Sequence, residues 1–167
     1  ILLPSGNVAI VGGYSYSSIN TNVIIYNPSL KNFAVLSSTI GGNGYSFVSI
    51  GGGKIFVCGG SSVASLVLDT VTDTVTNGGT SAYSLSSPSM TLLTNGDVLV
   101  VTNSSATAQI YQVSTSTFTN TGNPVSIPGP RSILLQNGDV LVYASSAKTD
   151  QAQLYSASTG TFSSVTL

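Results

Sequence analysis

Few side chains in this sequence are able to do chemistry, and most reaction classes fail at their first requirement. The 167 residues contain no His and no Glu. Without an imidazole, neither a Ser-His-Asp nor a Cys-His nucleophile can be assembled. The five carboxylates are Asp69, Asp73, Asp97, Asp139 and Asp150, and they do not fall at metal-ligand spacing. Asp97 and Asp139 each follow an Asn-Gly pair and repeat with it, so turn structure explains them, and Asp69 and Asp73 flank the third-strand turn of the second unit and are expected to act as turn acceptors. Cys58 is the only cysteine, which rules out an internal disulfide. It lies in the apolar run IFVCGG and is expected to be a buried small hydrophobe, with no positive neighbour to activate it. The chain is therefore read as non-catalytic, with no metal and no cofactor.

What remains is chemistry of contact. Tyr14, Tyr16, Tyr45 and Tyr83 sit in polar, variable stretches: 14–21 (YSYSSINT), 39–45 (TIGGNGY) and 78–88 (GGTSAYSLSSP), with 122–130 (GNPVSIPGP) as a fourth of the same kind. Tyr suits interfaces and sugar faces because it presents a rigid apolar body with a polar tip. Asn103-Ser104-Ser105 is the only sequon with an allowed middle residue, which makes Asn103 the glycosylation candidate.

These stretches must be held by something, and the sequence shows what. The unit LLQNGDVLVYAS at 134–145 places an Asn137-Gly138 reversal between two apolar strands, and it recurs at 92–103, at 2–13 and, worn down, at 49–60. The pivot glycines Gly6, Gly53, Gly96 and Gly138 are spaced 47, 43 and 42. Asn-Gly at such a pivot predicts a type I′ hairpin, which needs positive φ at both central residues. Each hairpin is followed by a polar loop and a third strand, predicted over 22–27, 64–69, 108–112 and 152–156. The third strands carry Tyr26, Leu68, Tyr111 and Tyr155, which repeat and therefore belong to the core. Seven residues after each comes Phe33, Val75, Phe118 or Phe162, on fourth strands predicted over 32–37, 74–77, 117–120 and 161–165. The first two strands of each unit are apolar on both faces: Val98–Val101 and Val140–Tyr143 do not alternate. Such strands should be covered on both sides, whereas the Thr/Ser-rich fourth strands should form a solvated outer edge. No stretch has helical periodicity. The expected fold is all-β: four four-stranded meanders that bury their faces by stacking on one another.

Composition narrows the setting. Only 5% of residues are charged, against about 25% in an average soluble domain, and the net charge is −1. There is no basic patch for a phosphate backbone, so nucleic acid is excluded as a partner, and no apolar run is long enough for a helical membrane span. The chain opens on Ile1, which reads as a processed chain or a fragment. Protonating every Asp takes the formal charge only from −1 to +4, so stability is expected to fall little in acid. An extracellular or cell-surface setting fits this composition.

The diglycines Gly12-Gly13 and Gly59-Gly60, each followed by a third-strand residue and then an apolar one seven further on, resemble the kelch motif, in the variant found in galactose oxidase-like propellers. The resemblance spans all four repeats, with approximate blades at 1–44, 45–87, 88–129 and 130–167. The sequence departs from the family pattern in having no Trp, where Phe33, Phe118, Phe162 and the smaller Val75 stand in, and in replacing the last two diglycines with Thr102-Asn103 and Ala144-Ser145. The resemblance implies a kelch-like β-propeller, four blades of a ring completed by the rest of a longer chain or by other chains. It also implies that Arg131, at the start of a first strand, bonds blade to blade. The copper chemistry of the oxidases would need His ligands, which are absent here. Three functions follow as expectations: a secreted or cell-surface module that binds a protein, a carbohydrate or further blades; the non-catalytic part of a larger kelch-like enzyme; or a structural subunit of an extracellular layer or filament.

Overall fold

A computed structural model describes residues 1–15, 18–40, 44–60, 62–102, 106–145 and 151–165. Among these the protein is all β, arranged as four antiparallel sheets. Sheet 1 joins β1 (Val8–Ser15), β2 (Ser18–Asn27) and β3 (Asn32–Thr39), and a single Leu2–Val8 bridge extends its inner edge. Sheet 2 runs β4 (Tyr45–Gly51), β5 (Lys54–Gly59), β6 (Ala64–Asp69), β7 (Thr74–Thr80). Sheet 3 runs β8 (Ser89–Leu92), β9 (Val98–Val101), β10 (Ala108–Gln112), β11 (Thr117–Asn120). Sheet 4 runs β12 (Pro130–Leu134), β13 (Val140–Ala144), β14 (Ala152–Ser156), β15 (Thr161–Ser164). Each sheet is a meander in chain order, as the 43-residue repeat predicts.

The pivots close differently from the expectation. Leu93 N–H donates to Asp97 O (2.8 Å), and Gly96 N–H donates back to Leu93 O (3.0 Å). Leu135, Gly138 and Asp139 repeat that pattern, as do Leu3, Gly6 and Asn7. Only the glycine has positive φ (81° at Gly6, 89° at Gly96, 88° at Gly138). These are three-residue loops in which a left-handed glycine follows a tight turn, not type I′ turns. Asn95 and Asn137 use their side chains, accepting from the N–H of Asp97 and Asp139 at 3.1 Å each. The worn-down unit is the one that meets the I′ requirement: Gly51 pairs with Lys54 around Gly52 (φ 58°) and Gly53 (φ 76°).

The sheets stack in sequence order through three apolar layers. Ala9, Val11, Val23 and Ile25 of sheet 1 pack on Ile55, Val57, Leu68 and Val75 of sheet 2. Phe56, Cys58 and Val67, on the reverse of sheet 2, meet Val98, Val100, Tyr111 and Phe118 of sheet 3. Leu99, Val101, Ala108 and Ile110 then meet Val140, Val142, Tyr155 and Phe162 of sheet 4. Each contact thus sets the front of one sheet, bearing the Leu68/Tyr111/Tyr155 row, on the rear of the sheet before it. β9 is buried along its whole length and β11 is mostly exposed, as the sequence predicts. β13, however, is not covered on both sides: Val140 and Val142 are buried against sheet 3, while Tyr143 is exposed on the open face of sheet 4. Cys58 is fully buried with its thiol 3.3 Å from the Met90 sulfur, and burial pushes its pKa up to about 12.

Candidate interaction surfaces

The connections between sheets, and those between second and third strands, emerge on one rim, which is where the tyrosines were placed by the sequence. The first loop is shorter than expected. β1 continues through Ser15, and Tyr14 pairs with Ile19, so Tyr14 lies in a strand and not in a 14–21 loop. The register shift between Val11 and Gly13 accompanies this: Gly12 alone faces Thr21 and Asn22, so the bulge lies on β2, and Gly12 (φ 68°) and Gly13 (φ 145°) bend β1 opposite it. Residues 39, 78–80 and 130 likewise belong to strands rather than loops.

Tyr45 opens β4 opposite Gly59, half-buried against the layer between sheets 1 and 2. Its ring lies over Gly60, where a Cβ would come within 2.5 Å of it. The diglycine at 59–60 thus exists to let strand β4 approach: a Cβ on Gly59 would stand 2.3 Å from Gly44 O. Tyr83 is half-buried in the loop before β8, its N–H accepted by Ser81 Oγ at 3.0 Å. Tyr45 and Tyr83 make no ring contact with each other. Tyr16 and Asn103 lie outside the described residues.

Two buried glutamines fix this rim. Gln109 accepts from Ser81 Oγ (2.5 Å) and donates to Asn120 Oδ1 (2.9 Å). Gln153 grips the backbone of Val125 from both sides, its Oε1 accepting from the N–H and its Nε2 donating to the carbonyl, each at 3.0 Å. A side-chain amide here does what a neighbouring strand would do, and it holds the loop between sheets 3 and 4. Beside it a cavity of about 240 Å³ is lined by Val125, Gln151, Ala152, Gln153, Ser164 and Val165. Both glutamines occupy the position of Ile24 and Leu66 in the first two repeats, and their neighbours gave no sign in the sequence that an amide there would turn inward.

Latches join the turn after each third strand to the end of the fourth strand of the sheet before it. In every repeat the turn after the third strand ends on a residue of positive φ: Lys31 (53°), Asp73 (52°), Ser116 (55°) and Gly160 (67°). Asp69 caps its own turn, accepting from the N–H groups of Val71 (2.9 Å) and Thr72 (3.1 Å). Asp73 does not, contrary to expectation. Its carboxylate reaches β3 of sheet 1 and accepts from Ser37 Oγ (2.5 Å), Ser37 N–H (2.7 Å) and Ser38 N–H (3.0 Å). These bonds, the Ser37 hydroxyl foremost, hold its pKa down at about 2. Gly160 makes the equivalent contact with sheet 3, its carbonyl accepting from Gly122 N–H (2.8 Å) and Thr121 Oγ1 (3.1 Å). Ser116 stands so close to sheet 2 that a Cβ on Gly79 would meet its carbonyl at 2.3 Å.

Arg131 does not bond one sheet to another: it is exposed on the rear of sheet 4, with no hydrogen bond or ion pair among the described residues. The same residues include no cluster of His, Cys, Asp or Glu able to hold a metal, and no helix long and apolar enough to cross a membrane. No protein-family profile matches this chain, and no curated protein matches it either.

Proposed function

We propose that this chain is a set of four kelch-like propeller blades serving as a non-catalytic binding module outside the cell or at its surface. The supporting observation is that the connections between sheets are held by the body of the stack. Asp73, Ser116 and Gly160 latch the ends of the preceding fourth strands, and Gln109 and Gln153 hold the loops that follow those strands. Loops displayed on a rigid scaffold are where binding surfaces form. Tyr83 and the cavity beside Val125 and Gln153 lie on that displayed rim, and a protein or carbohydrate partner suits a surface of Tyr, Ser, Thr and Asn with almost no charge. Kelch repeats remain the best account of the diglycine, Tyr and Phe pattern.

Binding of the labelled chain to a glycan array and to intact cell surfaces tests this reading. Tyr83→Ala is expected to lower the signal at least tenfold while leaving the β-sheet circular dichroism unchanged. No binding in either format, or binding that Tyr83→Ala does not alter, would overturn it.

A further inference from the structure

The stack has two unmatched ends, and they are the two halves of one repeated contact. The front of sheet 1 presents two cross-strand rows, Val8–Tyr26–Phe33 and Ile10–Ile24–Val35. These are the positions that bury Ile55–Leu68–Val75 in sheet 2, Val98–Tyr111–Phe118 in sheet 3 and Val140–Tyr155–Phe162 in sheet 4. In sheet 1 they have no sheet before them: Ile10 is 45% exposed, Phe33 65% and Val35 67%. The rear of sheet 4 presents the row Ile133–Leu141–Leu154 with Tyr143 beside it. Its counterparts Val48–Phe56–Val67 and Thr91–Leu99–Ile110 lie under the next sheet, whereas Ile133 is 54% exposed and Tyr143 41%.

The latch is unmatched in the same sense. Lys31 has the positive φ of Asp73, Ser116 and Gly160, and among the described residues it makes no hydrogen bond to another sheet. Among the described residues no apolar layer joins sheet 4 back to sheet 1.

We propose that two copies of this chain stack head to tail, the front of sheet 1 in one copy seated on the rear of sheet 4 in the other. The occupant follows from the three contacts already inside the molecule. All three layers among the described residues are front-on-rear, and a second copy supplies both missing halves. A net charge of −1 offers little repulsion against association. Such a contact is heterologous, so copies close into a ring where the rotation permits and otherwise extend as a filament. The inference rests on sheet stacking alone and is independent of binding at the loop rim.

Light scattering on the purified 167-residue chain, coupled to size exclusion over roughly 5–500 µM, tests it together with Ile10→Asp and Ile133→Asp. The wild type is expected to elute as two or more copies and each variant alone as a monomer. An equimolar mixture of the variants should form a one-to-one pair, because one keeps an intact rear and the other an intact front. Both sites are exposed in the single chain, so circular dichroism should show both variants folded; Val35→Lys and Tyr143→Lys form a second pair should either fail to fold. A wild type that stays monomeric throughout overturns the proposal. So does an assembly that only one of the two substitutions abolishes, since that is the signature of a symmetric contact, and so does a mixture that remains monomeric.

Discussion

Two tyrosines at equivalent positions have opposite fates. Tyr155 Oη lies 2.9 Å from Thr121 Oγ1, whereas the Tyr111 hydroxyl is buried without a partner. The residue that stands to Tyr111 as Thr121 stands to Tyr155 is Gly78, where a side chain would strike Ser65 Oγ at 2.8 Å. The close approach that requires glycine there also removes the hydroxyl's partner. Tyr111 is held instead by its ring, stacked on Phe56 with centroids 3.8 Å apart. Tyr155→Phe should therefore cost about 0.5–1.5 kcal/mol in urea unfolding, and Tyr111→Phe should cost nothing or stabilise, because an unsatisfied buried hydroxyl carries a penalty of about 1–3 kcal/mol. Asp73 makes a second prediction at this scale. Its pKa falls from about 3.9 in the unfolded chain to about 2 in the folded one, so its contribution is complete above about pH 4 and is lost as pH falls through 2. Asp69 is lowered too, chiefly by the Val71 and Thr72 N–H groups, and acts in the same direction. The acid insensitivity expected from composition thus has an exception between pH 4 and 2. Thermal melts should show Asp73→Asn with a flatter pH profile than wild type in that window; identical profiles would mean the latch contributes nothing.

At the scale of the element, turn residues and apolar runs made the strands legible. β6, β10, β11 and β14 begin and end where the repeat places them, because Gly, Asn and Asp mark reversals that few other residues tolerate. The kind of reversal was not legible. Asn-Gly serves a two-residue I′ loop and equally a three-residue loop with a left-handed glycine, and the choice depends on pairing across the hairpin. The run of β1 past its diglycine is hidden for a similar reason, since a strand bent at glycines looks like a loop until its partner is known. Partners far along the chain were wholly hidden: nothing near Asp73 points to Ser37, and nothing near Gln153 points to Val125. Glycines that look alike in sequence also differ in what they do. Gly96 has open space around it, so Gly96→Ala should cost only the strain of a left-handed alanine, about 1–2 kcal/mol. Gly59→Ala and Gly79→Ala each drive a Cβ to 2.3 Å from a backbone oxygen and should cost clearly more, the difference being read from paired denaturation curves.

At the scale of the whole molecule, stability should decline from the middle of the stack outward. Sheets 2 and 3 are covered on both faces, so β5 and β9 contain the residues most completely removed from water, among them Ile55, Phe56, Val57, Val98 and Leu99. Sheets 1 and 4 each leave one face open. In such a linear array each unit gains from its neighbours alone, so an end unit has half the interfacial support of a middle one. Native-state amide exchange should accordingly be slowest in β5 and β9 and faster in β2 and β14, although all four are internal strands with their ladders fully paired. Leu99→Ala, in the layer between sheets 3 and 4, should cost about 2–5 kcal/mol and uncouple sheet 4 before sheet 2. Concentration adds a discriminating measurement. If the open ends seat on one another, exchange in β2 and β14 should slow as concentration rises, with β5 and β9 unchanged, since mass action protects only what the contact covers. Rates in β2 and β14 that are independent of concentration would show that the ends stay open and that the gradient of protection belongs to the single chain.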